Sequence, residues 1–209
     1  GMENTTSTIF SKEFMVDEKG YHDQNYLNIN AHELAHQWFG NKITCGTWRD
    51  IWLNEGFATY LSGLVIENLD GAPNFVNWKN SLINNITSQL GGYVYLQDSD
   101  LTNVNRIFSS RLSYNKGAMV LHMLRWKLGD TAFFQALRNY LADPNLAFDY
   151  AVTTDLQYHL ETVSGQNLTC FTVKKMSFEP CTTTRRVRSS QNRPTSATTA
   201  GASRRKQSP

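Results

Sequence analysis

The chain of 209 residues contains no apolar run that approaches the length of a transmembrane helix, and no signal peptide is visible. Its three cysteines, Cys45, Cys170 and Cys181, have neither the spacing of a zinc-binding pair nor that of a disulfide framework. No internal repeat is present, which excludes an array of repeated units. These absences exclude a membrane-spanning segment in this chain but leave cytoplasmic and secreted or periplasmic locations open.

Acidic residues and aromatic rings are nearly missing from the end of the chain. From residue 171 onward there are nine Lys and Arg but one acidic residue, Glu179, and no aromatic residue follows Phe178. Such a segment cannot bury enough apolar surface to offset the entropy lost on ordering. It also lacks the interleaved aromatics of a stacking surface, so we expect no nucleic-acid partner.

The chain up to residue 170 has the composition of one globular domain. It carries 17 acidic and 11 basic residues, and the whole chain is 40% hydrophobic and 12% aromatic. Pro, Asp and Gly residues separate apolar segments, which predicts helices over residues 48–69, 73–90, 114–128, 130–142 and 154–164. Strands are expected only within the first twenty residues and at 93–96. The predicted fold class is α+β and predominantly helical.

An H-E-x-x-H motif begins at His32. On a helix, His32 and His36 lie on one face and can direct both imidazoles at one metal ion, with Glu33 beside them as a base for water. By itself this motif also occurs by chance on polar helices. Here Asp23 is a candidate N-cap and Gly40 a candidate C′ residue. The apolar stripe that we expect to pack this helix on the core consists of Leu27, Ala31, Leu34, Ala35 and Trp38.

Glu55 supplies a third candidate ligand. Eighteen residues separate it from His36, enough for the first helix to end and a second helix to return. Two His and one Glu leave the fourth position of a tetrahedral zinc site open, as in catalytic rather than structural sites. The spacing therefore predicts one Zn²⁺ ion held by His32, His36 and Glu55, with bound water whose pKa is lowered to roughly 7.

Four segments together resemble a known family. They are HELAHQWFGN from His32, WLNEGFATY from Trp52, SYNKG from Ser113, and GMEN from Gly1. The first two resemble the zinc aminopeptidases related to aminopeptidase N and the leukotriene-hydrolase enzymes, within the gluzincin metallopeptidases. The other two resemble that family's Y-x-K-G segment and its G-x-M-E-N exopeptidase motif without its first residue.

The resemblance implies a partial thermolysin-like zinc metallopeptidase catalytic domain over residues 1–170. Family members are several times longer and carry a β-rich domain before this point, so we expect this chain to be a fragment. The family would continue with helices after residue 170. We therefore expect the basic segment 171–209 to be disordered or not native domain sequence, for example the product of a shifted reading frame.

The resemblance also assigns roles. Glu33 would take the proton of the attacking water and pass it to the leaving amine. Tyr114 would donate its phenolic hydrogen to the oxyanion of the tetrahedral intermediate. Glu3 would bind the free α-ammonium group of a peptide and so fix the distance to the cleaved bond. Backbone groups of Gly1 and Met2 would also contact the substrate.

The expected function is hydrolysis of the N-terminal peptide bond of peptides by a zinc aminopeptidase. A zinc endopeptidase with the same metal site is one alternative, and a zinc-binding fragment without catalytic competence is another. The preferred N-terminal side chain, the biological substrate and the oligomeric state are not determined by the sequence.

Overall fold

The computed structural model of the chain describes residues 1–12 and 24–169. The candidate N-cap Asp23 and the segment 171–209 lie outside the described residues, so the expectations for them and for the boundary at residue 170 stay predictions.

The described part is mostly helical, with one small parallel sheet, which confirms the predicted class. A 3₁₀ turn (Trp48–Asp50) precedes the second α-helix, another spans Asp98–Asp100, and a π-helix (Ser110–Lys116) precedes the fifth. No helix of this part is long and apolar enough to cross a bilayer. The α-helices and strands are α1 (Gln24–Ala35), β1 (Ile43–Cys45), α2 (Trp52–Leu69), α3 (Ala72–Thr87), α4 (Val104–Ile107), α5 (Gly117–Leu128), α6 (Asp130–Ala142), β2 (Asp149–Ala151) and α7 (Thr153–Ser164).

Helix α2 is the centre of the core. Eleven of its 18 residues are buried, and they point in all directions around the helix axis. A helix that is apolar on every side belongs in the interior rather than at the surface. Phe57 of α2 stacks on Phe39 with the ring centroids 3.9 Å apart, and Phe39 in turn stacks on Tyr140 of α6. These aromatic contacts fix α2 against the helices around it.

Helices α2 and α5 meet at two glycines. A Cβ atom on Gly56 would lie 2.9 Å from the carbonyl carbon of Gly117, and one on Gly117 would lie 3.0 Å from the Cα of Gly56. Backbone atoms cannot rotate away as a side chain would, so only residues without a Cβ permit this approach. Gly56 directly follows Glu55, and Gly117 comes three residues after Tyr114. The contact therefore brings the segments that carry Glu55 and Tyr114 close together.

Strands β1 and β2 are parallel and join distant parts of the chain, with Thr44 opposite Tyr150. Buried Asp50 strengthens the same connection, since its carboxylate accepts hydrogen bonds from the backbone N–H and the hydroxyl of Thr153 at 3.0 and 2.6 Å. The hydroxyl of Thr47 donates to its other oxygen at 3.0 Å. The segment that leads into α2 is thereby anchored to the start of α7.

Several local predictions were wrong in detail. The helix expected from residue 48 begins at Trp52 after the 3₁₀ turn, and residues 93–96 form no strand. The apolar stripe on α1 is not uniformly core, because Leu34 and Trp38 are 58% and 45% exposed. Residues 4–10, within the first twenty residues where strands are expected, form no continuous strand. The chain turns back there, and Met2 pairs with Ile9 in an antiparallel bridge.

The contact between Gly56 and Gly117 predicts that alanine destabilises the protein at a helix position where it would normally stabilise it. Alanine normally stabilises a helix interior over glycine by about 0.8–1 kcal/mol. At Gly56 the added methyl group would overlap the backbone of α5, so Gly56→Ala should lower the free energy of unfolding by about 1–3 kcal/mol. Urea unfolding followed by circular dichroism measures this change.

Asn68→Ala, on the exposed side of the same helix, is the matched control. It should leave stability within about 0.5 kcal/mol of the unmodified protein. A Gly56→Ala protein at least as stable as the control would contradict the close approach of the two helices.

Candidate active site

The predicted site residues line a single cleft of about 1150 Å³. Its walls are formed by helix α1 and the turn after it, helix α2, the π-helix, the first residues of the chain and the segment 44–49 that runs from β1 into the 3₁₀ turn. The structure thus brings together all eight residues named from the sequence: Gly1, Met2, Glu3, His32, Glu33, His36, Glu55 and Tyr114. Their individual roles stay predictions.

Three of these side chains converge with metal-ligand geometry. The Nε2 atoms of His32 and His36 are 3.1 Å apart, and Glu55 Oε2 lies 3.4 Å from the first and 3.3 Å from the second. Ligand atoms about 2.0–2.1 Å from an ion at tetrahedral angles are separated by roughly 3.3 Å. The three atoms therefore fit one zinc-sized ion without rearrangement.

The turn after α1 prepares His36 for this role. Helix α1 ends at Ala35, and His36 continues its last turn through a backbone hydrogen bond to the His32 carbonyl at 3.2 Å. The Nδ1 atom of His36 lies 3.0 Å from the carbonyl of Phe39. A carbonyl can only accept, so Nδ1 donates this hydrogen bond and Nε2 is the ring nitrogen that faces His32 and Glu55.

The buried carboxylate of Glu55 interacts strongly with the imidazoles of His32 and His36. Burial raises the pKa of Glu55, but hydrogen bonds from His32 and His36 and their positive charge outweigh it and lower this pKa to about 2. At His36 burial acts to lower the pKa, and the hydrogen bond and charge of Glu55 overcome it, so the pKa of His36 is raised. Glu55 is therefore a carboxylate at neutral pH, the form that binds a cation.

Glu33 and Tyr114 line the same cleft as this cluster. Glu33 is buried in the cleft, and its Oε1 lies 3.6 Å from the backbone nitrogen of Gly1. The Tyr114 ring stacks on His32 with centroids 5.8 Å apart. Burial and the negative charge of Glu55 raise the pKa of Tyr114, so its hydroxyl stays protonated and able to donate.

The π-helix that carries Tyr114 was not predicted. Its wider turn is seen in the backbone hydrogen bond from Gly117 to Leu112, five residues earlier. Arg111 donates to the carbonyl of Ile86 near the end of α3 and to that of Gly91 in the loop after it, and Lys116 Nζ donates to the Gly92 carbonyl at 2.7 Å. Short π-helical turns are rare and are concentrated at functional sites. Sequence periodicity gives no signal for them.

Other cleft residues also escaped the sequence-based prediction. Asn54 is buried beside Glu55, and its Oδ1 accepts a hydrogen bond from the Cys45 backbone at 3.0 Å. Trp48 and Phe108 meet edge to face at 5.9 Å and give part of the cleft an apolar wall. The position of Asn54 within the WLNEG segment was a usable signal. No local pattern links Trp48 with Phe108.

The remaining described histidines do not join the cluster. His159 Nε2 is bonded to Asp143 at 3.1 Å, and His122 lies against the rings of Tyr60 and Phe75. Within residues 1–12 and 24–169, His32, His36 and Glu55 form the group of three ligands whose atoms lie within reach of one ion.

Comparison with known proteins shows which proteins the chain resembles. Aminopeptidase N of Lactococcus lactis subsp. lactis is 38% identical over 155 residues, which cover 71% of this chain and 18% of the relative. Aminopeptidase M1-D of Oryza sativa subsp. japonica is 37% identical over 165 residues, 74% of this chain and 18% of the relative. The chain therefore spans about 18% of the length of these curated relatives.

Solved structures give the same result. A mutant M1 zinc metallopeptidase from Deinococcus radiodurans bound to a Tyr-Ser-Ala substrate superposes with a TM-score of 0.68 at 27% identity, over 86% of this chain and 38% of that one. A second structure of a mutant of that enzyme has a TM-score of 0.58 at 32% identity, over 66% of this chain and 30% of that one. Residues 1–176 match the peptidase family M1 domain, and the chain belongs to that family.

Proposed function

We propose that the protein is part of a zinc-dependent aminopeptidase that hydrolyses the N-terminal peptide bond of peptides. The observation that carries the proposal is the convergence of His32, His36 and Glu55 to separations of 3.1–3.4 Å on one wall of a cleft that Glu33 and Tyr114 also line. Relatives named aminopeptidases and neighbours named zinc metallopeptidases support it.

His32, His36 and Glu55 would hold one Zn²⁺ ion. Two neutral nitrogens and one carboxylate oxygen are a donor set that zinc accepts, and three protein ligands leave a fourth position open. When bound, the ion would supply Lewis acidity, which makes water acidic enough to attack at neutral pH and polarises a carbonyl group.

Glu33 is the base of the proposed reaction. It neighbours His32 in the chain and is buried in the cleft, so its carboxylate is held beside the position where water would attack. It accepts a proton as water adds to the peptide carbonyl and returns it to the departing amine nitrogen. The Tyr114 hydroxyl donates a hydrogen bond to the negative charge that forms on the carbonyl oxygen.

Glu3 selects a free N-terminus. It is half-buried in the same cleft as the metal ligands, and its negative charge contributes to the raised pKa of His36. A substrate α-ammonium group would form a charge-assisted hydrogen bond with this carboxylate. Because Glu3 and the metal ligands occupy fixed positions, only a bond at a set distance from the amine would be cleaved.

The first prediction concerns the metal. His36→Ala should reduce the zinc bound per chain by at least about tenfold, because even loss of a group that only orients a ligand costs 10–100-fold in affinity. Elemental analysis after dialysis measures it. His159→Ala, which removes a histidine outside the cluster, should retain the zinc. Equal zinc content in the two variants would refute the proposed ligand set.

The second prediction concerns the chemical step. Glu33→Gln should retain zinc but lower turnover of a leucine anilide by about 10²–10⁴-fold, because the base is lost. Tyr114→Phe should cost about 10²–10³-fold in kcat, because it removes one oxyanion donor. Steady-state kinetics provide the measurement.

Tyr158→Phe is the control for the tyrosine variant, since Tyr158 is exposed on α7. It should leave kcat unchanged. A Tyr114→Phe protein with the same kcat as this control would contradict the donor role. Zinc bound with no turnover in the unmodified chain would instead favour the alternative of a catalytically incompetent fragment.

The third prediction separates aminopeptidase from endopeptidase activity. Glu3→Gln should raise KM for the leucine anilide about 10–100-fold, because a charged hydrogen bond to the substrate amine is replaced by a neutral one. Asp149→Asn, which neutralises an exposed carboxylate of β2 that does not line the cleft, should change nothing. If Glu3→Gln leaves anilide cleavage intact, or internal bonds of N-blocked peptides are cut equally well, the endopeptidase alternative is favoured.

A further inference from the structure

Glu3 lies on a segment with little burial of its own. Residues 4–7 form a turn in which Ser7 N–H bonds to the Asn4 carbonyl at 3.0 Å, and Met2 and Ile9 exchange two backbone hydrogen bonds. Within residues 1–12 only Glu3 and Thr8 are half-buried, and the others are exposed. Apolar packing therefore does little to hold this hairpin at a fixed distance from the metal ligands.

A specific polar contact holds Glu3 instead. The side-chain amide of Asn41 donates a hydrogen bond to the backbone carbonyl of Glu3 at 2.6 Å, and the amide of Gln37 approaches the same carbonyl at 3.5 Å. Both donors belong to the turn that follows α1, whereas Glu3 is more than thirty residues earlier in the chain. The contact acts on the backbone of Glu3, so its carboxylate stays free to face the cleft.

Asn41 also forms a hydrogen bond with His36, one of the proposed metal ligands. Its backbone N–H bonds to the carbonyl of His36 at 2.9 Å. Gly40 makes this turn with φ +143°, and a Cβ there would lie 3.1 Å from His36 Nδ1. The hydroxyl of Thr44 donates a hydrogen bond to the Gly40 carbonyl at 2.5 Å. A short path of hydrogen bonds thus runs from His36 through Asn41 to Glu3.

We propose that Asn41 is a positioning residue that sets the distance between Glu3 and the metal ligands, and thereby the enzyme's recognition of a substrate α-ammonium group. This inference rests on the proposed aminopeptidase function. Asn41 touches neither the ion nor the reacting atoms. Its loss should weaken selection of the free amine while leaving zinc binding and the binding of amine-free ligands unchanged, which a general structural role would not do.

The test uses two ligands that differ only in the α-amine, leucinamide and 4-methylpentanamide. Dissociation constants are measured by ligand-observed NMR on the zinc-loaded chain carrying Glu33→Gln, which prevents hydrolysis of leucinamide. The amine preference is the ratio of the two constants. Asn41→Ala should reduce this preference about tenfold through weaker leucinamide binding, with zinc content and 4-methylpentanamide affinity unchanged. Asn41→Asp, which keeps the shape but removes the donor, should reduce it at least as much.

Asn74→Ala is the matched control, because the Asn74 amide also donates to a backbone carbonyl, that of Asp70 at 2.9 Å, but at the end of α2 away from the cleft. It should retain the full preference. Adding Asn41→Ala to Glu3→Gln should cause no further loss of preference, since the carboxylate that Asn41 positions is already gone.

The outcomes separate the inference from the proposed function. A parent chain that binds both ligands equally overturns the aminopeptidase assignment and the inference with it. A parent that prefers leucinamide, with the same preference in Asn41→Ala, overturns the inference alone. Additive losses in the double variant do so as well. If Asn41→Ala does not fold, Asn41→Asp, which keeps the shape of the side chain but lacks the donor, gives the same comparison.

Discussion

Burial of the Glu55 carboxylate requires positive charge beside it, and much of the structure serves that requirement. Desolvation opposes ionisation of this side chain, yet contacts with His32 and His36 lower its pKa to about 2. A buried carboxylate without such partners would cost free energy, and here both imidazoles lie 3.3–3.4 Å from it. Such an arrangement persists only where the surrounding core leaves the side chains no alternative, and a zinc ion bound there would find its ligands already in place.

That core is organised by α2, which holds the proposed ligand Glu55 within its first turn. The contact between Gly56 and Gly117 sets how closely the π-helix can approach α2, so it also sets the distance between Glu55 and Tyr114. Asp50 and the β1–β2 pairing fix the start of α2 against α7. The fold therefore controls the site through backbone contacts at its helix ends, where a small displacement would move a ligand relative to a donor. Misplacement of about 1 Å is enough to lower catalysis by about 10²-fold.

The parts of this arrangement that follow from local spacing were predictable, and those that follow from distant contacts were not. The i, i+4 relation places His32 and His36 on one side of a helix whatever surrounds it, and Gly and Pro mark most helix ends. The pairing of residues 43–45 with 149–151 depends on segments about a hundred residues apart that carry no shared signal. The stripe with Leu34 and Trp38 has helical periodicity, but periodicity cannot tell a buried face from an exposed one. The sequence contains no signal for the π-helix at Tyr114 either, and its residues Arg111 and Lys116 bond to carbonyls of the distant segment 86–92, which no local pattern indicates.

The proposed catalytic groups and the proposed amine-binding residue Glu3 are held in this cleft by different parts of the fold. The proposed metal ligands and Tyr114 lie on α1 with the turn that continues it, on α2 and on the π-helix, whereas Glu3 lies on a hairpin joined to the turn after α1 through its carbonyl. A shift of the hairpin would alter how far the bound amine lies from the cleavage point without altering the groups that perform the cleavage. Asn41 bonds both to the His36 carbonyl and to the Glu3 carbonyl. The position of the hairpin is therefore fixed relative to the proposed metal ligand His36. In the proposed mechanism, a peptide whose amine reaches Glu3 would therefore have its first peptide bond positioned at the ion by the same turn that orients His36.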